Sequence, residues 1–241
     1  MDENEIEFNF WPSFADTMLG LVLVLLLVMF LFVAVKAVGT LDLRLIERKQ
    51  LDVINSIGRA YHKTPEEQTP EVKEETKEQI RVFCISLAKS GGCEIRARNE
   101  AKLQRITFSD HILFKLNEYE INEQGRQVLS ALTEALKNNG RLSTIREIQI
   151  QGHADTARKD GTPNMYNVNL AAQRAMAVYE YFMNTAGIDP SEHLMSATSF
   201  GEFNPVDRSR AKDAYDREKL KRDNLGDKQR MNRRIELLLF Y

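Results

Sequence analysis

The feature that most constrains this chain is an apolar run near its N-terminus, "TMLGLVLVLLLVMFLFVAV" at residues 17–35, which contains no charged side chain. A helix of this length matches the hydrocarbon core of a bilayer, about 30 Å thick, because each helical residue rises about 1.5 Å. The preceding residues are acidic and lack a basic residue, and no small-x-small motif precedes Lys36. This pattern argues against a cleaved signal peptide. We therefore predict a retained transmembrane helix over residues 12–35, preceded by a short cytoplasmic tail, residues 1–11.

One carboxylate, Asp16, stands at the start of the apolar run, and the next charged residue is Lys36. An ionised Asp near the centre of a membrane helix costs about 2.5–3.5 kcal/mol on insertion scales, and an acid near one end costs less. Asp16 could therefore be a merely interfacial acid. Intramembrane acids, however, usually face a partner or an aqueous path. A carboxylate that alternates between protonated and ionised forms is what a proton pathway requires.

The charges flanking the apolar run give a conflicting indication of topology. Basic residues follow the run, at Lys36, Arg44, Arg48 and Lys49, and none precedes it. The positive-inside rule taken alone would place the N-terminus outside. The C-terminal domain described below requires the opposite orientation. We expect a cytoplasmic N-terminus and a periplasmic C-terminal domain in a bacterial inner membrane.

Composition sets broad limits on the rest of the chain. Its 241 residues allow one folded domain with accessory segments. The net charge of −2 gives no overall basic field, so we expect no nucleic-acid partner. Cys84 and Cys93 are the only thiols. They could form one disulfide in an exported domain or remain two unpaired thiols, since sequence spacing does not define the Cα geometry.

The region between the apolar run and the C-terminal domain, residues 36–99, is predicted to be a helical linker with a dimerisation role. Residues 36–62 continue the helix, and a coiled-coil seam there is possible. The acidic, proline-containing stretch "HKTPEEQTPEVKEETKE" predicts a solvated break. A second helix is expected near residues 69–89, followed by a turn at "SGGC", residues 90–93.

Residues 100–241 show alternating strand and helix patterns. Strands are predicted at "QRITF", "IREIQIQG", "HLMSATSFG" and "RRIELLLF", and amphipathic helices at "EQGRQVLSALTEALKNNG" and "NLAAQRAMAVYEYFMNTAG". The order β-α-β-α-β-β predicts a two-layer α/β sandwich with helices on one side of a sheet. An inserted stretch from Val206 to Arg230 is net positive, but its mixed charges favour a solvated loop or helix over a nucleic-acid site.

Three short motifs in this domain place polar side chains at predicted element ends. "GHAD" ends the second strand at Asp155, "YNVNLAAQRA" opens the following helix and contains Arg174, and "NRRIEL" opens the last strand. An acid and a guanidinium at one locus can recognise a ligand that carries both an amine and a carboxylate. Asp155 could instead cap a turn, and Arg174 could form a surface ion pair. We find no pattern of metal ligands or of a catalytic nucleophile, and we expect neither a cofactor nor an enzymatic activity.

Together, in this order, the three motifs resemble the OmpA-like peptidoglycan-binding domain. The resemblance implies that Asp155 binds the ammonium group of the wall peptide's diamino acid and Arg174 its carboxylate. It also implies a pocket lined by three neighbouring residues, Tyr166, Asn167 and Leu170. Arg233 and Arg234 are expected to support this site, and His153 to be structural. The loop after Asp155 is longer than in the compact family pattern, and Ala171 replaces the motif's serine.

The segment "PSFADTMLGLVLVLLLVMF" resembles the single membrane helix of MotB-type stator subunits, which carries an ion-translocating Asp. By this resemblance, Asp16 carries the ion, and a dimer of the chain sits within a pentamer of a polytopic MotA- or ZorA-like partner. The acidic N-terminal tail is unlike the basic tail of flagellar MotB. This tail, the "WPSF" entry and the Leu/Val-rich span together most resemble the MotB-like ZorB subunits of Zorya anti-phage defence systems. A flagellar stator subunit and a passive OmpA- or Pal-like wall anchor remain alternatives.

Overall fold

The computed structural model describes residues 11–72, 78–87, 93–155, 164–208, 216–226 and 228–241. The chain divides into two compact units, Met1–Leu45 and Ile46–Tyr241. This boundary lies well before residue 100, where we predicted the C-terminal domain to begin.

The first unit consists, in its described part, of the N-terminal portion of one long helix, α1, Trp11–Ala60. The stretch that begins at Ser13 reaches a mean hydropathy of 3.2 over 18 residues, and it is long and apolar enough to cross a membrane. Its large apolar side chains are exposed in the single chain. The predicted apolar helix is therefore confirmed, and Asp16 lies in its second turn.

The last part of α1 belongs to the second unit and packs on its core. Val53, Ile54 and Ile57 are almost completely buried. Buried polar contacts add to this packing, since the Gln50 side chain donates to the Glu100 carbonyl at 2.9 Å and Gln104 donates to the Gln50 carbonyl at 2.8 Å. Within the predicted linker helix, residues 36–62, Val53 and Ile57 thus belong to the core of the folded domain.

Eight strands of the described chain form the sheet of the second unit. They are β1 Glu66–Glu67, β2 Glu71–Val72, β3 Gln79–Ile85, β4 Ile95–Asn99, β5 Leu103–Ser109, β6 Glu147–His153, β7 Leu194–Gly201 and β8 Arg234–Phe240. The spatial order is β1-β3-β4-β5-β8-β6-β7, and β2 also pairs with β3. Strands β6 and β7 are parallel, whereas β8 runs antiparallel to both of its neighbours.

Our prediction of a helical linker over residues 36–99 is wrong for the second half of this range. Instead of a helix near residues 69–89, the described residues form β2 and β3, and β4 follows. Strand β3 is buried on both faces from Val82 onward, so it lacks the polar–apolar alternation that identifies a half-buried strand. Residues 73–77 and 88–92, including most of the expected turn at "SGGC", lie outside the described residues.

From β5 onward, the predicted β-α-β-α-β-β architecture is confirmed. Helix α2, Asp110–Leu113, follows β5; α3, Glu123–Lys137, precedes β6; and α4, Met165–Glu180, ends in a π-helical turn, Tyr181–Thr185. Within the inserted stretch, two short helices are described, α5 Arg217–Asp223 and α6 Lys228–Asn232. Residues 209–215 of the stretch lie outside the described part.

The core lies between the sheet and helices α3 and α4. Alternate residues of each central strand point into it, as the period of two requires. The cluster includes Phe108 from β5, Ile150 from β6, Leu237 from β8, Leu132 from α3 and Val178 from α4. The intervening residues, such as Arg105, Gln149 and Glu236, face the other side of the sheet, which we call the open face.

Gly152 lets α4 approach β6 closely. A Cβ placed on Gly152 would lie 2.0 Å from the Ala171 carbonyl oxygen, a backbone atom of α4. This contact explains the glycine in "GHAD". It also brings the end of β6 and the start of α4 together, and these two segments carry most of the predicted site.

Cys84 and Cys93 form a disulfide, with a Cα–Cα distance of 5.5 Å. This resolves the alternative that the sequence left open. Cys84 lies in β3, and Cys93 lies just before β4. The bond therefore closes the connection between two adjacent antiparallel strands.

Candidate functional site

The candidate site lies where three strand ends meet. Strand β8 pairs antiparallel with β5 on one side and β6 on the other, so the ends of β5 and β6 lie beside the start of β8. Arg234 is opposite both Ser109 and His153 in these ladders. The strand order therefore brings together Asp110, which follows Ser109, Asp155, two residues after His153, and Arg233, which precedes Arg234.

These residues and Arg174 form a chain of alternating charges. Arg233 Nη1 donates to Asp155 Oδ2 at 2.8 Å, and Arg233 Nε lies 3.6 Å from Asp110 Oδ2. Arg174 Nη1 donates to the same Asp110 oxygen at 3.2 Å. The order is thus Asp155–Arg233–Asp110–Arg174, and we call this set the charge chain.

The charge chain runs from a buried end to an accessible end. The side chains of Arg174 and Asp110 are 4% and 8% exposed, whereas those of Arg233 and Asp155 are 32% and 19% exposed. A ligand that approaches from solvent therefore meets Asp155 and Arg233 first.

Arg174 is extensively bound by the protein. Its Nε donates to the Glu118 carbonyl at 2.9 Å, its Nη2 donates to the Lys115 carbonyl at 3.3 Å, and its guanidinium lies over the Phe114 ring, 5.1 Å from the centroid. Burial lowers the pKa of the Arg174 guanidinium, and the charge of Asp110 partly offsets this effect. Asp155 and Arg174, which we predicted to lie at one locus, are thus connected through Arg233 and Asp110. The ligand role of Arg174 stays a prediction.

Asn167 holds the strand end to the helix start. Its Nδ2 donates to the Asp155 carbonyl at 2.7 Å and to Glu202 Oε2 at 3.0 Å. Asn164 caps α4, since its side chain accepts from the Tyr166 N–H at 3.1 Å. Asn167 is buried, so in this structure it positions the backbone of Asp155.

Asn232 orders the opposite side of the site. Its Nδ2 donates to Asn224 Oδ1 at 2.9 Å and to the Asp223 carbonyl at 2.8 Å, while its Oδ1 accepts from the Val206 N–H at 2.8 Å. Asn224 in turn donates to the Glu202 carbonyl at 3.2 Å. The first residue of "NRRIEL" therefore connects the inserted stretch to the loop after β7.

Of the remaining predicted residues, some lie at the accessible site and others are buried in the fold. Tyr166 is 55% exposed at the start of α4, where a ligand can reach it, and Leu170 is buried on the inner face of the same helix. Arg233 contacts Asp155 and Asp110, and its supporting role for a ligand stays a prediction. The expectation for Arg234 is wrong: adjacent strand residues point to opposite faces, and Arg234 binds Glu236 on the open face at 2.7 Å. His153 is buried on the same face and stacks on Phe200.

Sequence reasoning missed Asp110 and Glu202. Both are nearly fully buried acids that follow a strand, Asp110 after β5 and Glu202 after β7. An acid at a predicted strand end was the available signal, as it was for Asp155. This signal alone could not assign Asp110 to the site, because only the strand order brings the end of β5 beside the start of β8.

The arrangement can recognise a zwitterionic ligand. Asp155 offers a carboxylate to an ammonium group, and the adjacent guanidinium of Arg233 offers a planar fork to a carboxylate. Among the described residues, no group of three His, Cys, Asp or Glu side chains is placed to hold a metal ion.

Comparison with known proteins defines the class of this domain. Residues 113–219 match the OmpA family, so this part of the chain is OmpA-like. The matched segment is rather less than half of the chain and contains Asp155 and Arg174.

Similar solved structures cover a larger share of the chain at low identity. A MotB-like protein from Desulfovibrio vulgaris is 22% identical over 60% of this chain and 76% of its own, with a TM-score of 0.45. The periplasmic domain of Helicobacter pylori MotB is 20% identical over 63% and 84%, with a TM-score of 0.45. The cell wall anchor of the type VI secretion system from Pseudomonas aeruginosa is 18% identical over 61% and 87%, with a TM-score of 0.43.

Proposed function

We propose that this chain is a single-pass inner-membrane protein whose C-terminal domain binds peptidoglycan while its membrane helix takes part in ion-driven work. The chain itself is not an enzyme in this proposal. The observation that carries it is the combination of an acid-bearing apolar helix with an OmpA-like domain in one chain.

The accessible end of the charge chain supports wall binding. The peptide of the bacterial wall contains a diamino acid with a free amine and free carboxylates, and Asp155 and Arg233 present complementary charges 2.8 Å apart. A ligand would replace this internal ion pair by two external ones, with Asp155 on the ammonium group. Arg174 would complete the carboxylate site from below, and Tyr166, Asn167 and Leu170 would form its wall.

Sedimentation of the full chain with purified peptidoglycan tests this part. The protein, solubilised in a non-ionic detergent, should co-sediment with the wall material, and Asp155→Asn and Arg174→Ala should each abolish most of the binding. Arg126→Gln, an exposed change on α3, is the matched control and should bind normally. Because Arg174 is buried, its variant needs a check of folding by circular dichroism. Wall binding that is unchanged in a folded Asp155→Asn variant would contradict the site.

The position of Asp16 supports the ion-driven part. It stands in the second turn of α1, at the beginning of the stretch apolar enough to span a membrane. We propose that two such helices, with Asp16 as the ion carrier, sit within a pentamer of a MotA- or ZorA-like partner. The apolar side chains of Val38, Leu41 and Leu45 are exposed in the single chain and offer a surface for dimerisation near the membrane.

Asp16→Asn separates this proposal from a passive wall anchor. The substitution should eliminate the activity of the complex with its partner, while membrane insertion and peptidoglycan binding remain normal. An isosteric neutral residue cannot release and rebind a proton, so the loss would follow from the chemistry of the carboxylate. If the Asp16→Asn variant kept full activity, the chain would be a tether.

Within this class, we propose a role in anti-phage defence of the Zorya type. The support is the acidic N-terminal tail and the "WPSF" start of the membrane helix. Genes adjacent to the coding sequence separate the alternatives: a helicase-like defence gene would support this role, and motility genes would indicate a flagellar stator subunit.

A further inference from the structure

A second charged site lies on the open face of the sheet, away from the charge chain. A cavity of about 750 Å³ is bounded by strands β2 to β5 and β8, by loop residues near Pro205 and by Arg230 and Met231 of α6. Its charged lining consists of six arginines and four glutamates, an excess of two positive charges. We call it the arginine cavity; its arginines are Arg96, Arg98, Arg105, Arg208, Arg230 and Arg234.

The sheet itself concentrates these guanidinium groups. Arg98 of β4 is directly opposite Arg105 of β5, an arrangement in which like charges destabilise a sheet. Arg96 projects from the same face two residues before Arg98, and Arg234 projects from it opposite Ser109, four residues beyond Arg105. The strands β4, β5 and β8 contribute only one acid to this face of the cavity, Glu236.

Glu236 is already committed to two of the arginines. It binds Arg105 and Arg234, and its side chain is 5% exposed. Burial alone would raise the pKa of the Glu236 carboxyl, but the charges of Arg234 and Arg105 outweigh this and lower it to about 2. Glu236 therefore remains ionised and does not compensate the other four arginines.

The rest of the cavity leaves guanidinium groups available to a ligand. Arg98 is already ion-paired, since its Nε lies 3.1 Å from Glu71 Oε2. Within the described part of the chain, Arg96 and Arg230 have no ion pair. Several apolar side chains, including Ile80, Leu103 and Met231, complete the walls.

We propose that the arginine cavity binds an organic anion that carries carboxylate or phosphate groups on a largely uncharged body. Arginine forks match both groups bidentately, and a charge-assisted hydrogen bond is stronger than a neutral one. The cavity volume and the apolar walls favour an organic body over a single inorganic ion. This site is independent of the proposed wall site, because Arg233 and Arg234 point to opposite faces of the sheet.

Calorimetric titration of the full chain in a non-ionic detergent at low salt tests the proposal with three probes: citrate, glucose 6-phosphate and inorganic phosphate. We expect saturable binding of citrate or glucose 6-phosphate, at least tenfold tighter than that of inorganic phosphate. The double variant Arg96→Gln, Arg230→Gln should weaken it at least tenfold. Arg96→Lys should lose less affinity than Arg96→Gln, since it keeps the charge without the fork.

Two controls separate the cavity from other effects. Arg126→Gln removes an arginine elsewhere on the surface and should leave the affinity unchanged, as should Asp155→Asn in the charge chain. Melting temperatures without ligand verify that each variant is folded. Absence of saturable binding for all three probes, or equal binding by the folded double variant, would overturn the proposal. If inorganic phosphate bound as tightly as citrate and glucose 6-phosphate, the assignment of an organic ligand would be wrong.

Discussion

The guanidinium of Arg174 and the carboxylate of Asp110 are in contact at 3.2 Å, and both are buried although they are 64 residues apart in the chain. Removal of one partner of a buried ion pair leaves the other charge uncompensated, which costs about 3–5 kcal/mol. We therefore expect Asp110→Asn to lower the free energy of unfolding by about this amount. Urea denaturation followed by circular dichroism would measure it.

An exposed ion pair supplies the control for this prediction. Asp207 lies 2.8 Å from Lys228, and both side chains are well exposed. Solvent screens such pairs, so Asp207→Asn should leave the urea midpoint nearly unchanged. An Asp110→Asn variant as stable as Asp207→Asn would show that Arg174 has enough other partners to compensate its charge.

Acid should destabilise the domain through His153. Burial, assisted by the charge of Arg234, lowers the pKa of His153 from 6.5 to about 3. Between these values the unfolded chain binds a proton that the folded domain does not, so stability falls as the pH falls from 6.5 towards 3. The slope from this one group is at most about 1.4 kcal/mol per pH unit.

The variant His153→Gln isolates this contribution. Its free energy of unfolding should depend less on pH than that of the original protein between pH 6.5 and 4.5. Below 4.5 Glu236 adds a further loss, since its lowered pKa makes the folded state resist protonation down to about 2. His111→Gln, at an exposed position of α2, should keep the original slope. Parallel slopes for His153→Gln and the original protein would contradict the assignment.

Gly152 should not tolerate a side chain. The Cβ of Gly152→Ala would lie 2.0 Å and 2.7 Å from the carbonyl oxygen and carbon of Ala171, so α4 would have to move away from β6. Overpacking of this kind costs about 1–3 kcal/mol. Thermal denaturation should show the loss, and peptidoglycan binding should weaken because Asp155 and Arg174 depend on these two elements. Gly39→Ala, with no heavy atom within 4 Å of its Cβ, is the control and should melt normally.

The Cys84–Cys93 disulfide should be present in the protein as isolated from an oxidising compartment. The bond closes a short loop, with a sequence separation of nine residues. Loop-closure entropy predicts that Cys84→Ser, Cys93→Ser lowers the stability by about 2–3 kcal/mol. Thiol labelling under denaturing conditions should detect no free cysteine until a reductant is added. Full labelling without reductant would place the domain in a reducing compartment.

Much of the fold could be read from local patterns. The amphipathic repeat of α3, the alternation in β5 and the alternation in the first half of β6 each combine a buried face with a more accessible one, so their period is visible in the sequence. Strand β3 escaped this reading because both of its faces are buried from Val82 onward. No local period records such burial.

Several residues of the candidate site could be predicted from the sequence, but the contacts that join them could not. Asp155, Asn167 and Arg174 were identified from their motifs, and the motifs place them near one strand end and one helix start. Asp110 and Arg233, which join Asp155 to Arg174, depend on the position of β8 between β5 and β6. Strand order is a long-range property, and neighbours in the sheet can be over one hundred residues apart in the chain, as Ser109 and Arg234 are.

The sequence by itself determined the apolar helix with its single acid, the α/β architecture of the C-terminal domain and the motifs that carry Asp155, Asn167 and Arg174, because each depends on residue type and local period. The tertiary structure decided which charges meet. It divided Arg233 and Arg234 between two faces of one sheet, since consecutive strand residues point in opposite directions. It thereby separated the charge chain from the arginine cavity.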